Sequence, residues 1–133
     1  MFRNWFAYGM AALVLGCGAL TVRAEEPQVT AAQVAQIRAD AEQGDAMAQC
    51  ILGGCYAFGW GVKWGVKPDK EKAVYWYRKA AEQGFAPAQY NLGGCYENGD
   101  GVPKDLEKAV YWYRKAAAQG HEGANAMLKR LGY

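Results

Sequence analysis

The sequence predicts an all-α fold, an α-solenoid of helix–loop–helix repeats with two full units between degenerate flanking helices. Three observations carry this. Much of the chain repeats itself in register. Each copy holds helical runs whose apolar residues recur at i, i+4 and i+7. Cap residues and glycines punctuate those runs where helices start and stop.

The repeat fixes the organisation. Ala41-Glu42-Gln43-Gly44 returns as Ala81-Glu82-Gln83-Gly84, and Leu52-Gly53-Gly54-Cys55-Tyr56 returns as Leu92-Gly93-Gly94-Cys95-Tyr96, both 40 residues later. Glu71 to Ala81 then returns as Glu107 to Ala117, 36 residues later. The difference is a four-residue insertion between Gly61-Val62 and Pro68-Asp69, most simply Lys63-Trp64-Gly65-Val66. The underlying period of 36 lies in the range of helical solenoids. Self-similarity fades at both ends. Charged Lys129-Arg130 stands where Gly93-Gly94 stood, which marks a terminal capping helix.

In chain order, residues 1–24 read as a secretory signal: Arg3, an apolar run from Trp5 to Leu20, and Val22-Arg23-Ala24 as a cleavage site. Val14-Leu15-Gly16-Cys17 offers an alternative, a lipoprotein anchored at Cys17, and an uncleaved anchor is a third. The first two both send the chain out of the cytoplasm, to the periplasm or beyond. Residues 25–30 form a linker and 31–133 the repeat domain, with units of about 45–83 and 84–119 and capping helices at 31–43 and 121–131. One helix of each pair (A) covers 45–58, 86–98 and 121–131. The other (B) covers 31–43, 69–82 and 105–118. Thr30, Asp69 and Asp105 take N-cap positions. Gly44, Gly84 and Gly120 close the B helices, as Gly59 and Gly99 close A helices. Ala73, Tyr77 and Ala80 face the core, as do Ala109, Tyr113 and Ala116; on the A helices Ala48, Leu52, Cys55 and Tyr56 do so. A glycine inside a helix costs about 1 kcal/mol against alanine, so Gly53 and Gly93 are expected where another helix comes close. Gly54 and Gly94 are left to face solvent or a groove.

Composition excludes several function classes. The chain has 15 Lys+Arg against 13 Asp+Glu, a net +2. Both extra charges, Arg3 and Arg23, lie in the signal, so the remainder is neutral and lacks the basic face that nucleic acid requires. Lysines flank the Tyr75-Trp76-Tyr77 and Tyr111-Trp112-Tyr113 clusters, but Glu71, Asp105 and Glu107 interleave with them. Packing explains these clusters best, with Trp76 and Trp112 either flanking a groove or covering the neighbouring B helix. There is no serine, and His121 is the single histidine. Gly59-x-Gly61 and Gly99-x-Gly101 follow helices and not strands, so they are terminators and not phosphate loops. No catalytic residue, metal or cofactor is expected. Cys50, Cys55 and Cys95 remain outside the signal. They read as small buried hydrophobes, with a Cys50–Cys95 or Cys55–Cys95 bridge as the alternative.

Residues 88–105 (Ala-Gln-Tyr-Asn-Leu-Gly-Gly-Cys-Tyr-Glu-Asn-Gly-Asp-Gly-Val-Pro-Lys-Asp) and 108–120 resemble the Sel-1-like repeat. The resemblance covers residues 45–120 with partial flanks. It implies a right-handed α-solenoid related to the tetratricopeptide fold, acting as an adaptor or scaffold. No family catalytic residue carries over. No cysteine lies on a B helix, so the intra-repeat staple of the family's cysteine-rich secreted branch is absent. The implied partner is a protein or peptide, held on a concave A-helix face at Gln49, Gly54, Ala57 and Phe58, then Asn91, Gly94, Glu97 and Asn98. Trp60 and Trp64, in a loop the fold does not need to be this long, are a further expected contact surface, with local packing as the alternative. Membrane contact is expected only through a lipid anchor at Cys17. Two other functions stay open: an inhibitor or immunity-type binder of one envelope enzyme or toxin, and a cell-wall or β-lactam-binding relative.

Overall fold

The computed structural model describes residues 30–133; the signal and most of the linker lie outside the described residues. Among the described residues six α-helices follow one another: α1 Ala31–Glu42, α2 Ala46–Phe58, α3 Lys70–Glu82, α4 Ala86–Asn98, α5 Leu106–Ala118 and α6 Glu122–Leu131. No strand occurs among the described residues. Each helix packs on its neighbour in sequence, which is the stacking of an α-solenoid. α1, α3 and α5 are B helices, and α2, α4 and α6 are A helices.

The caps follow side-chain chemistry. Thr30 forms a capping box with Gln33 at the start of α1. Asp69 and Asp105 accept from the Lys72 and Lys108 amides, each satisfying one orphan donor. Gly59 and Gly99 close α2 and α4 with φ of 69° and 73°, a left-handed conformation that glycine adopts at little cost. His121, read as a start-of-helix surface residue, caps α6: its Nδ1 accepts from the Ala124 amide at 3.1 Å.

The core is a run of small residues and tyrosines. Ala73, Tyr77, Ala80, Ala88, Leu92, Ala109, Tyr113 and Ala116 form one buried cluster. Gly53 and Gly93 are the close-approach glycines, since a Cβ at either would stand 2.7 Å from Cδ1 of Tyr77 or Tyr113. The next B helix can therefore lay its tyrosine ring flat on the A-helix backbone. Trp76 packs on the cluster holding Ile37 and Ala41 of the preceding B helix, and Trp112 packs on the central cluster. Both cover their neighbours; neither lines the groove described below.

The structure corrects two expectations. The insertion is not Lys63 to Val66. Val66 is 1% exposed in a cluster with Val34 and Cys55, whereas Val62 is exposed. Gly65, at φ 79°, matches Gly101, at φ 71°. Gly65-Val66 is thus the counterpart of Gly101-Val102, and the extra residues come earlier. Trp60-Gly61-Val62-Lys63 is directly followed by Trp64-Gly65-Val66-Lys67, a tandem duplication. Its surplus forms a 3-10 turn, Val62–Trp64.

The second correction concerns Gln49 and Gly54, expected on the exposed face. Gln49 is 3% exposed. Its Nε2 donates to the Ala41 carbonyl at 3.1 Å, and its Oε1 accepts from Gln83 Nε2 at 2.8 Å. Gln89 repeats this one unit on, donating to Ala81 O and accepting from Gln119 Nε2 at 3.0 Å. Each glutamine ties three successive helices, and burial is tolerated because its polar ends are partnered. Gly54 is buried beneath Trp60: a Cβ there would meet Cζ3 of that ring at 2.8 Å.

Candidate functional site

Facing A helices leave a groove on one side of the solenoid. It encloses about 520 Å³, a volume typical of ligand clefts. Ala57 and Phe58 from the end of α2 form one end. Asn91, Gly94, Glu97 and Asn98 from α4 form the wall. Tyr77 and Tyr113 form the floor, and Met127 and Arg130 from α6 close the far side.

Of the ten contact residues that the sequence predicts, Ala57, Phe58, Asn91, Gly94, Glu97 and Asn98 converge here. Gln49 is a buried strut. Trp60 stacks on Phe58, with ring centroids 4.9 Å apart, but sits outside the groove. Trp64 belongs to the 3-10 turn, and its side chain lies outside the described residues. The sequence reading missed Tyr77, Tyr113, Lys70 and Arg130 as groove groups. Both tyrosines lie in the core, as the sequence predicts, and also form the groove floor.

The groove is apolar at its α2 end and polar towards α6. Tyr113 donates to Glu97 Oε2 at 2.7 Å, and Arg130 pairs with Glu97 Oε1. Burial acts to raise the Glu97 carboxyl, but the bonds from Tyr113 and Arg130 outweigh it and hold the group below its usual range. Burial and the Glu97 carboxylate push the Tyr113 hydroxyl up, so it stays a donor. At the rim Lys70 and Asp100 pair at 2.5 Å. Two cations and two anions therefore balance, leaving no net charge to attract a charged ligand.

The thiols are free: Cys55 is buried, Cys50 and Cys95 half-buried. Burial pushes Cys50 and Cys95 up to about 11, which leaves little thiolate for nucleophilic chemistry. Asn91 Nδ2 donates to Cys50 Sγ at 3.7 Å. Among the described residues, no group of three or more His, Cys, Asp or Glu side chains could hold a metal. No helix among them is long and apolar enough to cross a membrane.

The two copies of the repeat agree where they hold the fold and differ in the groove. Alanine, glutamine and the Leu-Gly-Gly-Cys-Tyr string are identical at 48–56 and 88–96 except at Cys50/Tyr90 and Ile51/Asn91. Ala57 and Phe58 are then replaced by Glu97 and Asn98. Tyr90, Asn91, Glu97 and Asn98, four of the changed positions, all line the groove.

Comparison with known proteins agrees with this architecture. The profile of the Sel1 repeat matches residues 46–85 and 86–121. The chain is similar to a Sel1 repeat protein from Oxalobacter formigenes, with 40% identity and a TM-score of 0.70 over 76% of this chain and 28% of that one. It is also similar to a protective antigen with an SLR fold present in uropathogenic Escherichia coli strains, with 45% identity and a TM-score of 0.62 over 68% of this chain and 19% of that one. The chain thus spans under a third of the length of either protein. No curated protein matches it.

Proposed function

Because the chain belongs to the Sel1 repeat family, whose proteins generally mediate protein–protein interaction and are typically non-catalytic, we propose that it is a small exported adaptor. Its groove holds a segment of a partner protein in the cell envelope. The observation that carries this reading is the confinement of A-helix differences between the two repeats largely to groove positions. A solenoid needs its stacking residues alike and leaves its concave face free to specialise. Asn91 and Asn98 each bring a carboxamide that can donate and accept, suited to the backbone of an extended peptide. Phe58 and Ala57 offer an apolar seat beside them. The balanced ion pairs place the weight on shape and hydrogen bonding. The apolar run from Trp5 to Leu20 behind Arg3 supports export.

The test is co-purification from the envelope fraction. A stoichiometric partner should be lost on Asn98→Ala or Phe58→Ala and retained on Tyr75→Ala or Tyr111→Ala, which alter exposed residues of the B helices. Equal loss from both sets would contradict the groove as the binding face.

A further inference from the structure

The duplicated loop differs from the groove in composition and exposure. Phe58, Trp60 and Val62 are 66%, 63% and 56% exposed, and the two rings stack on each other. Lys63 and Lys67 are exposed in the same loop. No acid occurs from Gly59 to Pro68, so the loop carries two positive charges in a repeat domain otherwise balanced. The next acid, Asp69, caps α3 and pairs with Lys72. The corresponding loop of the second unit lacks the duplicated residues and carries Asp100, tied to Lys70.

The loop's place in the fold matters as much as its composition. Val66 anchors it against Val34 of α1. Val34 is one turn from Thr30, about 6 Å along the helix axis, so the chain enters the domain beside this loop. Any anchorage of the preceding residues to a bilayer would hold this loop towards the lipid.

We propose that residues 60–67 form a contact for an anionic membrane surface, with Trp60 and Val62 entering the interface and Lys63 and Lys67 meeting the headgroups. Amphipathic aromatics settle at the headgroup level, and lysines extend their charge towards water and phosphate while their stems lie on apolar surface. Each lysine near such a surface is worth about fivefold in binding. This contact is independent of the groove, since Trp60, Lys63 and Lys67 do not line it.

Hydrogen exchange of the full-length chain reads the loop directly, whatever the preceding residues do. On vesicles of one part phosphatidylglycerol to three parts phosphatidylcholine, exchange across 59–67 should slow, while 99–104 stays unchanged. Pure phosphatidylcholine should give little protection. Lys63→Gln with Lys67→Gln should weaken loop protection about 25-fold in lipid concentration, and Trp60→Ala about tenfold. Asn98→Ala should leave it unchanged. Equal exchange across 59–67 with and without anionic vesicles would overturn the proposal, as would protection that survives loss of both lysines.

Discussion

The Tyr113 hydroxyl donates to Glu97 Oε2 at 2.7 Å, joining α5 to α4 at the groove floor. The first unit has no such link, because Ala57 stands where the second has Glu97. The Glu97 carboxyl is held below the ordinary 4.5. A depressed carboxyl stabilises the fold above its unfolded value, and that contribution is lost as pH falls through the folded value. Glu97→Gln should therefore melt below the parent at pH 7, and the gap should close as pH drops below about 4.5. Thermal melts across that range test this; a gap that widens in acid would refute it.

Gly93 and Gly94 are neighbours with opposite tolerances. A Cβ at Gly93 would press on the Tyr113 ring at 2.7 Å and stand 3.2 Å from the Ala109 carbonyl, whereas one at Gly94 meets only the Tyr113 hydroxyl, at 3.7 Å. Gly93→Ala should cost about 1–3 kcal/mol through overpacking. Gly94→Ala should stabilise by up to about 1 kcal/mol while narrowing the groove. Urea titration of both variants separates them.

Gln49→Leu should destabilise by about 1–3 kcal/mol, because Gln83 Nε2 loses its acceptor and the Ala41 carbonyl keeps only the Gly44 amide. Partner capture by the folded fraction should be unchanged. A stable variant with lost binding would return Gln49 to the contact surface.

Cys50 and Cys95 should resist alkylation. At pH 8 a thiol raised to about 11 holds about a hundredth of the thiolate of an ordinary cysteine. Mass mapping after iodoacetamide should show slow labelling of both in the native chain and rapid labelling in urea. Rapid native labelling, or a bridged peptide, would contradict the packing described.

The helices and most caps are legible in the sequence because each rests on local chemistry: a short polar side chain at the start, a glycine at the end and an apolar stripe between. Gln49 is not legible that way. Its place beside the Leu52 stripe gives burial, yet its polarity suggests the surface, and only a partner 34 residues away resolves the conflict. A signal existed in the recurrence of both glutamines, as Gln89 and Gln119. The place of the insertion is not legible either: Gly61-Val62 and Gly65-Val66 match Gly101-Val102 equally well, and burial of Val66 selects the second copy of the duplication. The groove role of Tyr77 and Tyr113 is not legible either, because both are buried core residues that only the stacking of the repeats places under the groove.

Site-specific photo-crosslinking in the host cell tests the groove most directly. Benzoylphenylalanine replacing Asn91 or Asn98 should yield one discrete protein adduct, and none should form from positions Tyr75 or Tyr111. Adducts from the B-helix positions alone would contradict recognition in the groove.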